Sequence, residues 1–122
     1  MSGITESRLA IGAALEAVGL RVAYDPGLVQ PPAVLVAPTD PWITPGKLST
    51  RSRSIRWRLV AVAGKADAAV TVGELEDLVA TVAMAVLPAG CDWPVFDTPG
   101  LVDLAGAQYL AAVGRVSHMT EV

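Results

Sequence analysis

Between residues 54 and 63 the chain alternates with a period of two. Ile55, Trp57, Leu59 and Ala61 fall on one side of an extended strand, and Ser54, Arg56, Arg58, Val60 and Val62 fall on the other. The first side reads as core. The second begins charged and ends apolar, so its far half must be covered by something. A change of period follows. Leu75, Leu78, Val79, Val82, Ala83 and Val86 recur at i, i+3, i+4, i+7, i+8 and i+11, with Glu76, Asp77 and Thr81 off the stripe. Thr71-Val72-Gly73-Glu74 ahead of it has the spacing of a capping box, and Pro88-Ala89-Gly90 stops it. This helix can lie on the Ile55/Trp57/Leu59 face.

The remaining elements follow from weaker patterns. Residues 2–18 predict a helix, with Ser2 or Thr5 as cap, Glu6 in the first turn and Gly19 as its stop. A short strand over 20–24 is closed by the turn signal Asp25-Pro26-Gly27. Residues 33–37 are apolar on both faces, as in a strand covered on both sides. Pro38, Pro41, Pro45 and Gly46 exclude a regular helix and predict a long loop over 38–53, with Trp42 and Ile43 inside it. Residues 93–97 predict a short edge strand, because Pro94 cannot donate to a ladder. Residues 101–104 extend this strand beyond the Pro99-Gly100 break, and Gly106-Ala107 turns the chain into a last strand over 108–118. The order α-β-β-β-α-β-β predicts an α+β fold. Its sheet is antiparallel or mixed, of four to five strands, with both helices on one face.

Length and composition narrow this. The 122 residues make one domain, 1–122, large enough to fold without staples. The 52% hydrophobic content is mostly Ala and Val, so elements pack closely on small side chains. No apolar run reaches the ~18 residues of a spanning helix, and residues 1–19 lack the pattern of a signal peptide. The expectation is a soluble, intracellular chain without membrane contact. The single cysteine, Cys91, allows no internal disulfide and no cysteine metal cage.

The charge distribution adds more than the net −3. Residues 47–58 hold Lys47, Arg51, Arg53, Arg56 and Arg58 and no acid; the rest has four basic and twelve acidic residues, a balance of −8. A positive patch on a negative body favours head-to-tail association of copies or contact with a polyanion.

Candidate chemistry is sparse. Gly46-Lys47-Leu48-Ser49-Thr50 lacks the leading Gly of a phosphate loop, and Leu48 separates Lys from Ser. Asp92, Asp97 and Asp103 do not have the spacing of a calcium loop. Cys91 has no sequence-local activator. An enzyme would need a pocket gathering Asp40, Asp92 or His118, and no nucleophile with its base is visible. The expectation is a protein without catalysis, cofactor or metal. Trp57 reads as core, which leaves Trp42 and Tyr24 as aromatic surfaces for base stacking.

Pro31-Pro32-Ala33-Val34-Leu35-Val36, the long loop, and Ile55-Arg56-Trp57-Arg58-Leu59-Val60-Ala61-Val62-Ala63-Gly64-Lys65-Ala66-Asp67 resemble tail terminator (minor tail) proteins of long-tailed bacteriophages, especially those of high-GC actinobacterial hosts. Gly106-Ala107-Gln108-Tyr109-Leu110-Ala111-Ala112 fits the same pattern. The resemblance implies a structural virion protein of the tail–neck region, assembled in the host cytoplasm. It would form a hexameric ring that caps the tail tube, ends tube polymerisation and offers its other side to head-completion proteins. DNA would pass through the lumen without sequence-specific binding. Under this reading Arg51, Arg53, Arg56, Arg58, Val60 and Val62 belong to the subunit interface or the lumen, and Trp42, Ile43 and Lys47 to a loop that docks a partner. Another neck component, such as a head-closure or tail-completion protein, stays open, as does a small module binding nucleic acid or a peptide.

Overall fold

The structure is a computed structural model that describes residues 3–45, 52–65 and 72–121. Its elements are α1 (Gly3–Ala17), β1 (Arg21–Ala23), β2 (Ala33–Pro45), β3 (Ser52–Lys65), α2 (Val72–Val86), β4 (Val95–Phe96), β5 (Gly100–Leu104) and β6 (Ala107–Glu121). The fold is α+β, as the sequence predicts. The mixed sheet has six strands rather than four or five, in the order β1-β2-β3-β6-β4, with β5 also on β6. Only β1 and β2 run parallel; every other pair is antiparallel.

Local chemistry explains the ends of α1. Gly19 takes a positive φ of 86°. Its N–H bonds the Glu16 carbonyl at 2.9 Å, and the Leu20 N–H bonds Leu15 at 3.2 Å. These are the two bonds of a Schellman stop, which needs a residue without a Cβ penalty at Gly19. After β1, the Asp25 carboxylate accepts from the Gly27 N–H at 2.8 Å and starts a 3-10 turn, Pro26–Leu28. The candidate cap Thr71 lies outside the described residues, but α2 begins beside it at Val72.

Both helices cover one face of the sheet. Ile11 and Leu15 from α1, and Leu75, Leu78, Val82 and Val86 from α2, pack on Val34, Val36, Ile55, Trp57, Leu59 and Ala61. Leu9 and Val18, on the outer side and at the end of the α1 segment, are exposed. Trp57 is the largest side chain in this layer, at 2% exposure; burying it fully stabilises the fold by roughly 3 kcal/mol.

The other face has a second, smaller core. Leu35, Val60 and Val62 are buried there with Ala23, Val29, Leu104, Tyr109 and Ala111. Val60 and Val62 are 1% and 0% exposed in the single chain. Their cover comes from the chain itself: the β1–β2 link supplies Val29 from one side, and β5 supplies Leu104 from the other. Val60 and Val62, expected at a subunit interface or the lumen, are instead buried within their own chain.

The loop over 38–53 is also corrected. Residues 38–45 continue β2, and Ser52 and Arg53 already belong to β3; 46–51 lie outside the described residues. β1 pairs only with residues 33–35 of β2. Beyond Leu35 one edge of β2 has no partner strand among the described residues, so proline there removes no ladder bond on that side. The register shifts between Pro38 and Ile43, and pairing resumes at Ile43↔Ile55. The result is a strand hairpin where the proline density had suggested irregular chain.

Candidate functional site

Three places carry polar chemistry. The first is the uncovered half of the non-helical face. Strand alternation puts Arg56 and Arg58 on the same side as Val60 and Val62. Register places Arg58 opposite Arg115 on β6 and Arg56 opposite Ser117. Like charges directly opposite destabilise a pair, but Asp97 relieves one of them. Its carboxylate accepts both Arg115 terminal nitrogens, at 3.4 and 3.2 Å. Among the described residues, no carboxylate pairs with Arg56 or Arg58. Arg58 is exposed and Arg56 half-buried. Arg53 sits three positions before Arg56, on the opposite side of the strand, and its guanidinium donates to the Ser52 carbonyl at 2.8 Å. Lys47 and Arg51 lie outside the described residues. The basic stretch thus divides between two faces.

The second place is on the helical side. An apolar groove of about 440 Å³ runs between α2 and the chain around β4, lined by Leu75, Val79, Ala83, Trp93 and Phe96, with Glu76 and Asp97 at its rim. Trp93 is exposed at 62%. Glu76, Asp77 and Asp92 are exposed nearby in sequence. The groove has no basic lining residue among those described.

The third is a buried chain of hydrogen bonds that sequence reading missed. Trp57 Nε1–H donates to Ser7 Oγ at 3.0 Å, and Ser7 Oγ lies 2.6 Å from His118 Nδ1. The imidazole also bonds the Ala89 backbone, a contact that favours its charged form. A carbonyl acceptor there places the ring proton on Nε2, so the Ser7 hydroxyl donates to Nδ1. Burial is the larger influence and pulls the His118 pKa below its usual 6.5. This is a serine beside a histidine, but Ser7 is 1% exposed and its oxygen is occupied by the indole N–H. The pair joins α1, β3 and β6, and the Ala89 contact adds the turn after α2. Nothing in the local sequence announces it: Ser7 stands between Glu6 and Arg8.

The other candidates separate. Cys91 is buried and forms an isolated bridge with His118. Burial, then the Asp92 carboxylate, pushes its thiol up to about 12, far from a nucleophile's range. Among the described residues, no three of His, Cys, Asp and Glu gather as a metal site. Asp40 is exposed on the β2 hairpin, away from His118 in the register. Trp42 and Ile43, at 39% and 36% exposure, sit on β2 rather than on a loop. Trp42 stands edge-on to Trp57, ring centroids 6.0 Å apart.

No helix among the described residues is long and apolar enough to cross a membrane. No protein-family model matches the chain, and no curated protein matches it.

Proposed function

We propose that the protein is a structural assembly subunit that acts by head-to-tail association of identical copies, as a ring of the tail-terminator kind. One observation carries the reading. Arg56 and Arg58, which pair with no carboxylate among the described residues, lie on the non-helical face, and the acid-rimmed groove of α2 lies on the helical face. One copy cannot bring these two surfaces together. A second copy can, and a contact between unlike patches repeats until it closes a ring or extends as a filament. The β2–β3 hairpin adds half-exposed apolar surface, Trp42 and Ile43, on the helical side, where Trp42 stands against Trp57. In this reading one side of the ring caps the tail tube, the other meets head-completion proteins, and DNA passes through the lumen without sequence readout. The resemblance of 31–36 and 55–67 to tail terminators gives the assembly its place in the virion.

Light scattering coupled to gel filtration across a concentration series, with negative-stain images and a capping assay on preformed tail tubes, tests this. A six-fold ring, or subunits that assemble only on tube ends, is the expected outcome. A monomer that leaves tubes uncapped overturns it. A monomer with salt-sensitive affinity for a polyanion replaces it with a binding module.

A further inference from the structure

A different surface carries a ligand argument that does not depend on assembly. Above the sheet, α1, the residue after β1 and the β2–β3 hairpin enclose a pocket of about 340 Å³. This is at the small end of ligand pockets, which run roughly 300–1,000 Å³. Its walls are Ile4, Tyr24, Val36, Trp42 and Trp57, and its one charged lining residue is Arg8. No acid lines it among the described residues. The Arg8 guanidinium carbon lies 5.2 Å from the centre of the Tyr24 ring. Arg8 Nε is sealed from solvent, with no hydrogen-bond partner among the described residues.

We infer that this pocket binds a small planar aromatic carboxylate, its ring held among Trp42, Tyr24 and the edge of Trp57 and its carboxylate on Arg8. The ring fits because three aromatic walls meet there, and aromatic pairs gain from offset and edge-to-face contact. The charge follows because one cation, with no competing acid, matches one negative charge. The two terminal nitrogens of a guanidinium fit both oxygens of a carboxylate. The wall that admits it is Trp42, which is half-exposed while Trp57 stays fixed by its bond to Ser7.

The probe is 2-naphthoate, with neutral 2-naphthamide and non-aromatic cyclohexanecarboxylate as controls, followed by proton–nitrogen correlation spectra of the full chain. The three indole N–H signals and the Arg8 Nε–H signal report directly. Saturable movement of the Arg8 and Trp42 signals, with Trp93 still, is expected. Naphthamide should bind at least about tenfold more weakly, as loss of a charge-assisted hydrogen bond implies. Arg8→Gln should equal that loss. Trp42→Ala, at the exposed rim, should also weaken binding while the Trp57 and Trp93 signals show the fold intact. No movement, equal binding of the amide or of cyclohexanecarboxylate, or unchanged affinity in both variants overturns the inference.

Discussion

At the residue scale, the sharpest consequences come from His118 and Cys91. The folded pKa of His118 lies below 6.5, because burial disfavours the imidazolium more than the Ala89 contact favours it. Between the folded value and 6.5 the unfolded chain binds more protons, so stability rises with pH there. The contribution is full above 6.5 and is lost as pH falls through that window. Urea unfolding from about pH 7.5 down to about pH 5 should show this loss. His118→Leu should flatten it while lowering stability throughout, since Ser7 then lacks its acceptor; an unchanged slope would exclude His118 as its source. For Cys91, a thiol raised to about 12 stays protonated at mildly basic pH. Alkylation by iodoacetamide should therefore be slow in the native protein and fast in denaturant. Rapid native labelling would mean that the thiol is far more open than its 8% exposure. None of this network was legible beforehand. Ser7 and His118 are 111 positions apart, and no local pattern announces a contact of that span.

At the element scale, the legible parts were those that carry their own punctuation. α1 stops at Gly19 and α2 runs on a regular apolar stripe, so both appeared within a residue or two of their observed ends. β3 was legible from its alternation alone. The hairpin arm was not, because proline reads as a breaker unless the strand is known to be an edge. That knowledge is topological: β1 leaves β2 after Leu35, and no nearby residue records it. The last hairpin shows the same limit. Its two-residue turn is Ala105-Gly106, with φ of 52° and 85°. Both positions are left-handed, as the tight hairpin turn requires, but alanine resists that conformation. Ala105→Asn should raise stability by about 1 kcal/mol, read as a higher urea midpoint with the same slope. An unmoved midpoint would mean that the turn is not strained. Close approach works the other way on the neighbouring strand. A Cβ on Gly114 would sit 2.6 Å from the Phe96 ring, so β4 lies against β6 only because that position has no side chain. Gly114→Ala should cost about 1–3 kcal/mol through overpacking, measured by the same unfolding curves.

At the scale of the whole molecule, the asymmetry of charge was legible and its placement was not. Counting located the positive stretch; only the register shows that Arg56 and Arg58 share a face with Arg115 and that Arg53 does not. Only the packing shows that Val60 and Val62 are already covered by their own chain. What remains is a molecule with unlike patches on opposite sides, and this predicts the behaviour of mixtures. Arg56→Gln with Arg58→Gln should abolish the basic patch and leave the acidic side intact. Glu76→Gln with Asp77→Asn should do the reverse. Each variant alone should fail to assemble, because every head-to-tail contact needs one patch of each kind. Mixed, the two have one good contact between them: the intact basic patch of the second meets the intact acidic side of the first. The outer surfaces of that pair are both disabled, so growth stops there. Light scattering of the mixture should give a 1:1 dimer and no larger species, weakened by added salt. Assembly of either variant alone would show that these residues do not form the contact. A mixture that stays monomeric, while the unmodified chain forms rings, would place the contact elsewhere on the molecule and leave the ring itself standing.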